Sequence, residues 1–138
     1  LMQLNGDPIT LSQLRGKIVL IDFWSSWCPP CRQEASALTA AYEQYRELGV
    51  EFVGIAIWDN ENDVRAFVDE FNIAYSNAID PKGRLAFEYG VTGVPQKFFI
   101  DKSGNLAKKY IGPMNAESLR QIIDDIRSES AQESAHAR

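Results

Sequence analysis

Apolar residues along the chain form two patterns, short unbroken runs and longer stretches with helical spacing. Ile18-Val19-Leu20-Ile21-Asp22-Phe23 is a continuous apolar run holding a single acid, the pattern of a strand covered on both faces of a central parallel sheet. Residues 52–57 repeat it. Between the two runs, Ala35, Leu38, Ala41, Tyr42, Tyr45 and Leu48 fall on one stripe, which predicts a helix from about Pro29 to Leu48, stopped by Gly49. Asn60 is placed to cap a second helix whose Val64, Phe67, Val68 and Phe71 sit at i, i+3, i+4 and i+7. A short strand is expected around Asn77, Ala78 and Ile79. Asp80-Pro81 then reads as an N-cap with proline in the first helical position, opening a helix to about Tyr89.

Residues 96–100 and 106–111 flank Asp101-Lys102-Ser103-Gly104 and predict a hairpin connection. A last helix starts near Asn115 and carries Leu119, Ile122, Ile123 and Ile126 on one face. At the other end, the Asn5-Gly6 turn signal between short apolar stretches predicts a small N-terminal hairpin over residues 4–11. From Ser128 onward the chain is small and polar without periodicity, so residues 1–128 are read as one domain and 129–138 as a disordered, frayed tail. The order β-α-β-α-β-α-β-β-α describes an α/β sandwich whose mixed sheet is parallel first and antiparallel at the end.

At 138 residues the chain is long enough to bury a core without staples. Its 14 basic and 19 acidic residues leave a formal charge of −5, and nucleic acid is excluded as a main partner because phosphate binding needs a basic face. No apolar run reaches the length of a membrane span. The first residue is Leu1 and no signal-peptide pattern follows it, so a processed or trimmed form of a longer protein is expected.

The chemistry concentrates in two cysteines. Cys28 and Cys31 are the only ones in the chain, and Trp27-Cys28-Pro29-Pro30-Cys31 stands where a buried strand hands over to a helix. With Cys28 as N-cap, its sulfur faces free backbone N–H groups and the positive end of the helix dipole, and both favour thiolate. Pro29 and Pro30 suit the first turn and remove two donors, leaving the Cys31 N–H as the nearest one. Cys31, one turn inward, is the resolving thiol. A bridge across so small a loop restricts the unfolded chain little, so stability is a poor reason to keep the pair, although a structural disulfide stays open as the bland alternative. Zinc needs about four ligands, and the one histidine is His136 in the tail. Haem attachment needs a histidine directly after the second cysteine, where Arg32 stands. No metal and no cofactor are called for.

Residues 21–32, Ile-Asp-Phe-Trp-Ser-Ser-Trp-Cys-Pro-Pro-Cys-Arg, resemble the active-site segment of the thioredoxin superfamily. Gly93-Val94-Pro95 resembles its cis-proline loop. Residues 11–17 and 99–105 are similar to the TlpA/ResA-like branch, related to the AhpC/TSA redoxins, and the stretch between Cys31 and Pro95 has room for that branch's central helix-strand insertion. The resemblance implies a thioredoxin fold, a three-layer α/β/α arrangement. It implies a thiol–disulfide oxidoreductase that reduces protein disulfides, often in cytochrome c biogenesis, outside the cytoplasmic membrane and recharged by a membrane or soluble electron-donor thiol protein. A monomer is expected. By resemblance Cys28 attacks, Cys31 resolves, Pro95 lies against the pair and the Val94 backbone pairs with an extended substrate segment. Trp27, Pro29, Pro30, Val94 and Pro95 form the expected substrate-contacting set.

Departures from the branch shape the remaining expectations. Both positions between the cysteines are proline, where many ResA-like proteins have a glutamate. Asp22, six residues before Cys28, matches the buried acid of thioredoxins. Burial of an acid in an apolar strand raises its pKa and suits it to take the Cys31 proton, the alternative being an acid merely hydrogen-bonded or reaching solvent. Ile55 falls near the position of the lysine that pairs with that acid, leaving no clear counterpart, and Gln96 follows the proline where cytochrome-maturation members often have Glu. Strand C-termini form ligand crevices in α/β sheets, so Trp27 is read as a groove residue, Trp24 as core and Trp58 as either. Glu34 is read as a solvated helix-surface residue, and Lys108-Lys109 as an exposed strand face. Ser25, where a peroxidase would carry Thr, disfavours peroxidase chemistry. The rivals are a cytosolic general thioredoxin-like reductant and a non-redox binding or chaperone module on the same fold.

Overall fold

The computed structural model describes residues 1–136. Five strands form one sheet: β1 (Ile18–Trp24), β2 (Val50–Ile57), β3 (Ser76–Asp80), β4 (Gln96–Ile100) and β5 (Leu106–Ile111). Their order is β3-β2-β1-β4-β5. β1, β2 and β3 run parallel, β4 pairs antiparallel with β1, and β5 pairs antiparallel with β4. Among the described residues four α-helices cover the sheet: α1 (Pro29–Tyr45), α2 (Glu61–Glu70), α3 (Arg84–Glu88) and α4 (Ala116–His136). This is the mixed α/β arrangement expected, with α2 and β3 as the extra helix and strand between β2 and α3.

Strand alternation sorts the core. Ile18, Leu20, Phe52 and Phe99 face α1 and α4, where they meet Leu38, Tyr42, Tyr45, Leu119 and Ile123. Val19, Ile21, Phe23, Val53 and Ile55 point to the other face, against α3 and the N-terminal segment. β1 is buried along its whole length, as the unbroken apolar run predicts. α2 docks beside the start of α1 through Val64 and Phe67. The Arg32 guanidinium reinforces that joint, bonding Glu70 at 2.5 and 2.8 Å and lying over the Phe67 and Phe71 rings.

Four boundaries differ from expectation, each for a local reason. The Asn5-Gly6 turn forms, but its arms meet at a single Met2–Pro8 bridge, because the next N–H, that of Leu4, turns away to the Asn77 carbonyl of β3 at 2.9 Å. Leu11–Leu14 is instead a 3-10 turn, with the Thr10 N–H held by Gln13 Oε1 at 3.0 Å. Asp80 ends β3, and a turn through left-handed Gly83 (φ 70°) delays α3 to Arg84. The Asp80 carboxylate still caps that helix from a distance, accepting from the Arg84, Leu85 and Ala86 N–H groups at 2.9–3.2 Å. α1 ends at Tyr45, and the residues after it tighten into a 3-10 turn before left-handed Gly49. The expected frayed tail from 129 is corrected as far as His136: α4 runs on to that residue, with Ser130 buried. Nothing in residues 128–136 breaks a helix, since the stretch lacks both Gly and Pro. Residues 137 and 138 lie outside the described residues.

Gly54 shows how tightly the sheet is closed over the site. A Cβ there would run into the Asn77 side chain and the Trp24 indole, which bond each other through Trp24 Nε1 and Asn77 Oδ1 at 3.0 Å. Gly54→Ala should therefore cost about 1–3 kcal/mol through overpacking, measured as a lower urea midpoint at unchanged m-value. An unchanged midpoint would show that the indole and carboxamide yield freely.

Candidate active site

β1 delivers its chain end to α1 through Ser25, Ser26 and Trp27, and this short loop is tied to the loop after β2. Ser25 Oγ donates to the Ile57 carbonyl at 2.6 Å, Asp59 Oδ2 accepts the Ser26 N–H at 2.6 Å, and Trp27 Nε1 donates to the Trp58 carbonyl at 3.0 Å. Trp58 takes a left-handed backbone (φ 52°), uncommon for a bulky residue, and its indole lies against Gly83. Trp27 is 57% exposed and Trp58 39%, so both meet solvent beside this loop. Trp24 is buried against Phe67, the core position expected.

Cys28 is the N-cap of α1, and its Sγ accepts the Cys31 N–H at 3.2 Å. Pro29 and Pro30 occupy the first helical turn. The two sulfurs are joined as a disulfide, and both residues are almost wholly buried. Val94 packs against this cluster, the Val94–Pro95 bond is cis, and Pro95 is buried while Trp27 and Pro29 are exposed. The structure thus brings Trp27, Cys28, Pro29, Pro30, Cys31 and Val94-Pro95 to one end of the sheet.

Asp22 is buried beneath that end on the α1 face. It lines a cavity of about 10 Å³ together with Cys31, Trp24 and Tyr75. Register places Lys97 of β4 directly opposite it. The Lys97 ammonium, fully buried, lies 3.2 Å from Asp22 Oδ1 and 2.6 Å from Glu34 Oε1. Glu34 Oε2 accepts the Met114 N–H at 2.8 Å. The lysine donates to Glu34, whereas Asp22 Oδ1 is near the charge but finds no hydrogen-bond partner among the described residues. Burial, partly opposed by Lys97, raises the Asp22 pKa. Burial and the neighbouring Asp22 push Glu34 up to about 7, against the pull of Lys97 and the Met114 N–H. Burial works against the Lys97 charge, but the two carboxylates outweigh it and hold the ammonium above its usual range.

This ion cluster departs from the sequence reading at two residues. Glu34, expected at the solvated helix surface, is 3% exposed. Its position continues the buried stripe Cys31, Glu34, Leu38, Ala41, Tyr45 at spacings of three and four, the signal that sequence carries for its burial. The lysine partner of the acid, for which Ile55 leaves no counterpart, is Lys97. Ile55 faces α3, and the lysine comes from the other strand beside β1. A lone lysine inside the buried run of β4 demands a carboxylate partner, and that is its signal. Lys108 and Lys109 are exposed on β5, as expected.

A dicysteine at a helix N-terminus, on a four-helix, five-stranded sheet with a cis-proline loop beside it, defines a thiol–disulfide oxidoreductase of the thioredoxin fold. Residues 1–109 match the AhpC/TSA family, and the chain belongs to that family. It is 33% identical over 123 residues to the thiol-disulfide oxidoreductase ResA of Bacillus anthracis, spanning 89% of this chain and 71% of the relative. ResA of Geobacillus thermodenitrificans (strain NG80-2) is 32% identical over 127 residues, 92% and 73% of the two chains. Among solved structures, a thioredoxin-family thiol:disulfide interchange protein from Chlorobium tepidum TLS superposes with a TM-score of 0.82 at 28% identity, covering 91% of this chain and 90% of that one. A secreted Mycobacterium tuberculosis disulfide oxidoreductase homologous to E. coli DsbE gives 0.83 at 27%, covering 90% and 92%.

The raised Glu34 has a consequence for stability. The buried Asp22–Glu34 pair, with Glu34 pushed up to about 7, binds protons more tightly folded than unfolded, so stability falls as pH rises from 4.5 through that window. Glu34→Gln should gain on the parent chain across the same window by up to about 3 kcal/mol, read from urea denaturation of the oxidised proteins at several pH values. Parallel stability curves would contradict the assignment.

Proposed function

We propose that the protein reduces disulfide bonds in other proteins through a Cys28 mixed disulfide that Cys31 resolves. The observation that carries this reading is Cys28 at the N-cap of α1 with its sulfur on the Cys31 N–H, an environment that favours thiolate. In the dithiol form the Cys28 thiolate attacks one sulfur of a substrate disulfide, and the other substrate sulfur leaves as a thiolate that takes a proton from solvent. Cys31 then gives its proton to Asp22 and attacks Cys28 Sγ. The second substrate sulfur departs as a thiolate that takes a proton from solvent, and the protein is left with its own disulfide. Two electrons pass to the substrate. A thiol protein outside the chain must return them.

Trp27, Pro29, Pro30, Val94 and Pro95 are the residues proposed to contact substrate, with an extended segment laid along the Val94 backbone. The exposure of Trp27 and Pro29 beside the nearly buried sulfurs supports a partner that docks on the rim before exchange. Placement outside the cytoplasmic membrane is proposed as well, supported by the secreted Mycobacterium tuberculosis relative. Cytochrome c maturation is one process this activity would serve. The buried Asp22–Lys97 pair favours a second reading, a general thioredoxin-like reductant with broad substrates, since that acid–lysine pairing resembles the thioredoxin one.

Insulin reduction driven by dithiothreitol tests the activity. Cys28→Ser should abolish the enhancement. Cys31→Ser should retain attack and accumulate a dithiothreitol-sensitive mixed disulfide with a cysteine-bridged peptide, visible by mass. Equal residual activity in both variants, with no trapped adduct, would leave only a binding module on this fold.

A further inference from the structure

Two carboxylates and one ammonium share the buried space behind the redox pair, and the sharing is unequal. Lys97 Nζ is 2.6 Å from Glu34 Oε1 and donates to it, but stands 3.2 Å from Asp22 Oδ1. Glu34 is anchored a second time by the Met114 N–H, while Asp22 Oδ1 has only the longer, poorly aligned approach of that ammonium. Were both acids ionised in this disulfide form, the cluster would bury a net negative charge, which low-dielectric surroundings disfavour strongly. One proton for the two carboxyls leaves the cluster neutral, and it belongs on the acid with the poorer hydrogen bonding.

We propose that Glu34 and Lys97 are positioning residues for the exchange reaction: Glu34 competes with Asp22 for Lys97 and thereby makes Asp22 the carboxylate that takes up the Cys31 proton. This rests on the reading of Cys31 as the resolving thiol and extends it by naming what sets the strength of its base. At the mixed-disulfide stage Asp22 is ionised and Cys31 carries the proton. As the Cys31 sulfur bonds to Cys28, that proton passes to Asp22 on the cavity that the two residues share. It returns to the Cys31 sulfur when the disulfide is reduced again. Other groups facing the cluster do not compete for it. Tyr75 is buried beside Asp22 and pushed well above its usual range by burial and then by the two acids. Tyr110 lies opposite Lys97 on β5, Gly54 opposite Asp22 on β2, and α2 offers Phe67. Cys28 and Cys31 are bridged in this state.

The two partners predict shifts of opposite sign, which a packing role alone does not. The test is the carboxyl carbon resonance of Asp22, followed by NMR against pH in the oxidised full chain. Glu34→Gln frees Lys97 to pair with Asp22 and should lower the Asp22 midpoint by about 1 pH unit or more. Lys97→Met removes the cation and should raise it. The rate of mixed-disulfide resolution, followed in parallel, should shift its pH profile in the same directions. Should Lys97→Met fail to fold, Glu34→Gln alone decides. An Asp22 midpoint unmoved or raised in Glu34→Gln overturns the proposal. The titration does not depend on turnover, so a chain inactive toward disulfides that still shows the shifts would sink the functional reading and leave this cluster standing.

Discussion

Lys97 has no contact with solvent, and its charge survives at the centre of the sheet only because Asp22 and Glu34 face it. Taking an ammonium out of water costs several kcal/mol unless such partners are in place, so this one residue fixes much around it. β4 must pair with β1 in the register that sets Lys97 opposite Asp22. α1 must lie so that Glu34, three residues beyond Cys31, reaches the same ammonium. The loop before α4 must present the Met114 N–H to the free oxygen of Glu34. Sheet, first helix and last helix are thereby tied at the point where the cysteines emerge.

Above that cluster the redox loop is held from the side. Three hydrogen bonds link residues 25–27 to residues 57–59, and the left-handed Trp58 is where the second loop turns to make them. Cys28 can then sit at the N-terminus of α1 while Trp27 stays in solvent. The chemistry draws on both levels: the helix N-terminus favours sulfur as thiolate, and the buried acid lies within the same cavity wall as the second cysteine.

The elements that carry strong periodicity are legible in the sequence. The unbroken run at β1, the stripe of α1, the Asn60 cap and the proline-flanked cysteine pair each lead to the right place, because burial on both faces and 3.6-residue spacing leave direct marks on composition. What sequence reasoning misses depends on distant partners. Glutamate on a helix usually meets solvent, and only Lys97 and Met114, the latter 80 residues later, explain the burial of Glu34. Lys97 escapes notice because the acid–lysine pairing is expected on β2, while the fold supplies it from β4. The start of α3 slips by three residues, from 81 to 84, because the Asp80 carboxylate reaches across a glycine turn to cap it. Helical order to His136 is invisible because polar residues without a stripe give no signal, though none of them forbids a helix.

For Cys28 and Cys31 as the reducing dithiol proposed here, the most direct test is the reduction potential of the pair, set by equilibrium with dithiothreitol and glutathione buffers. A value near or below about −270 mV, the thioredoxin end of the range, is expected. A value near about −120 mV would make the protein a disulfide donor instead, and a pair that never equilibrates with either buffer would contradict redox function altogether.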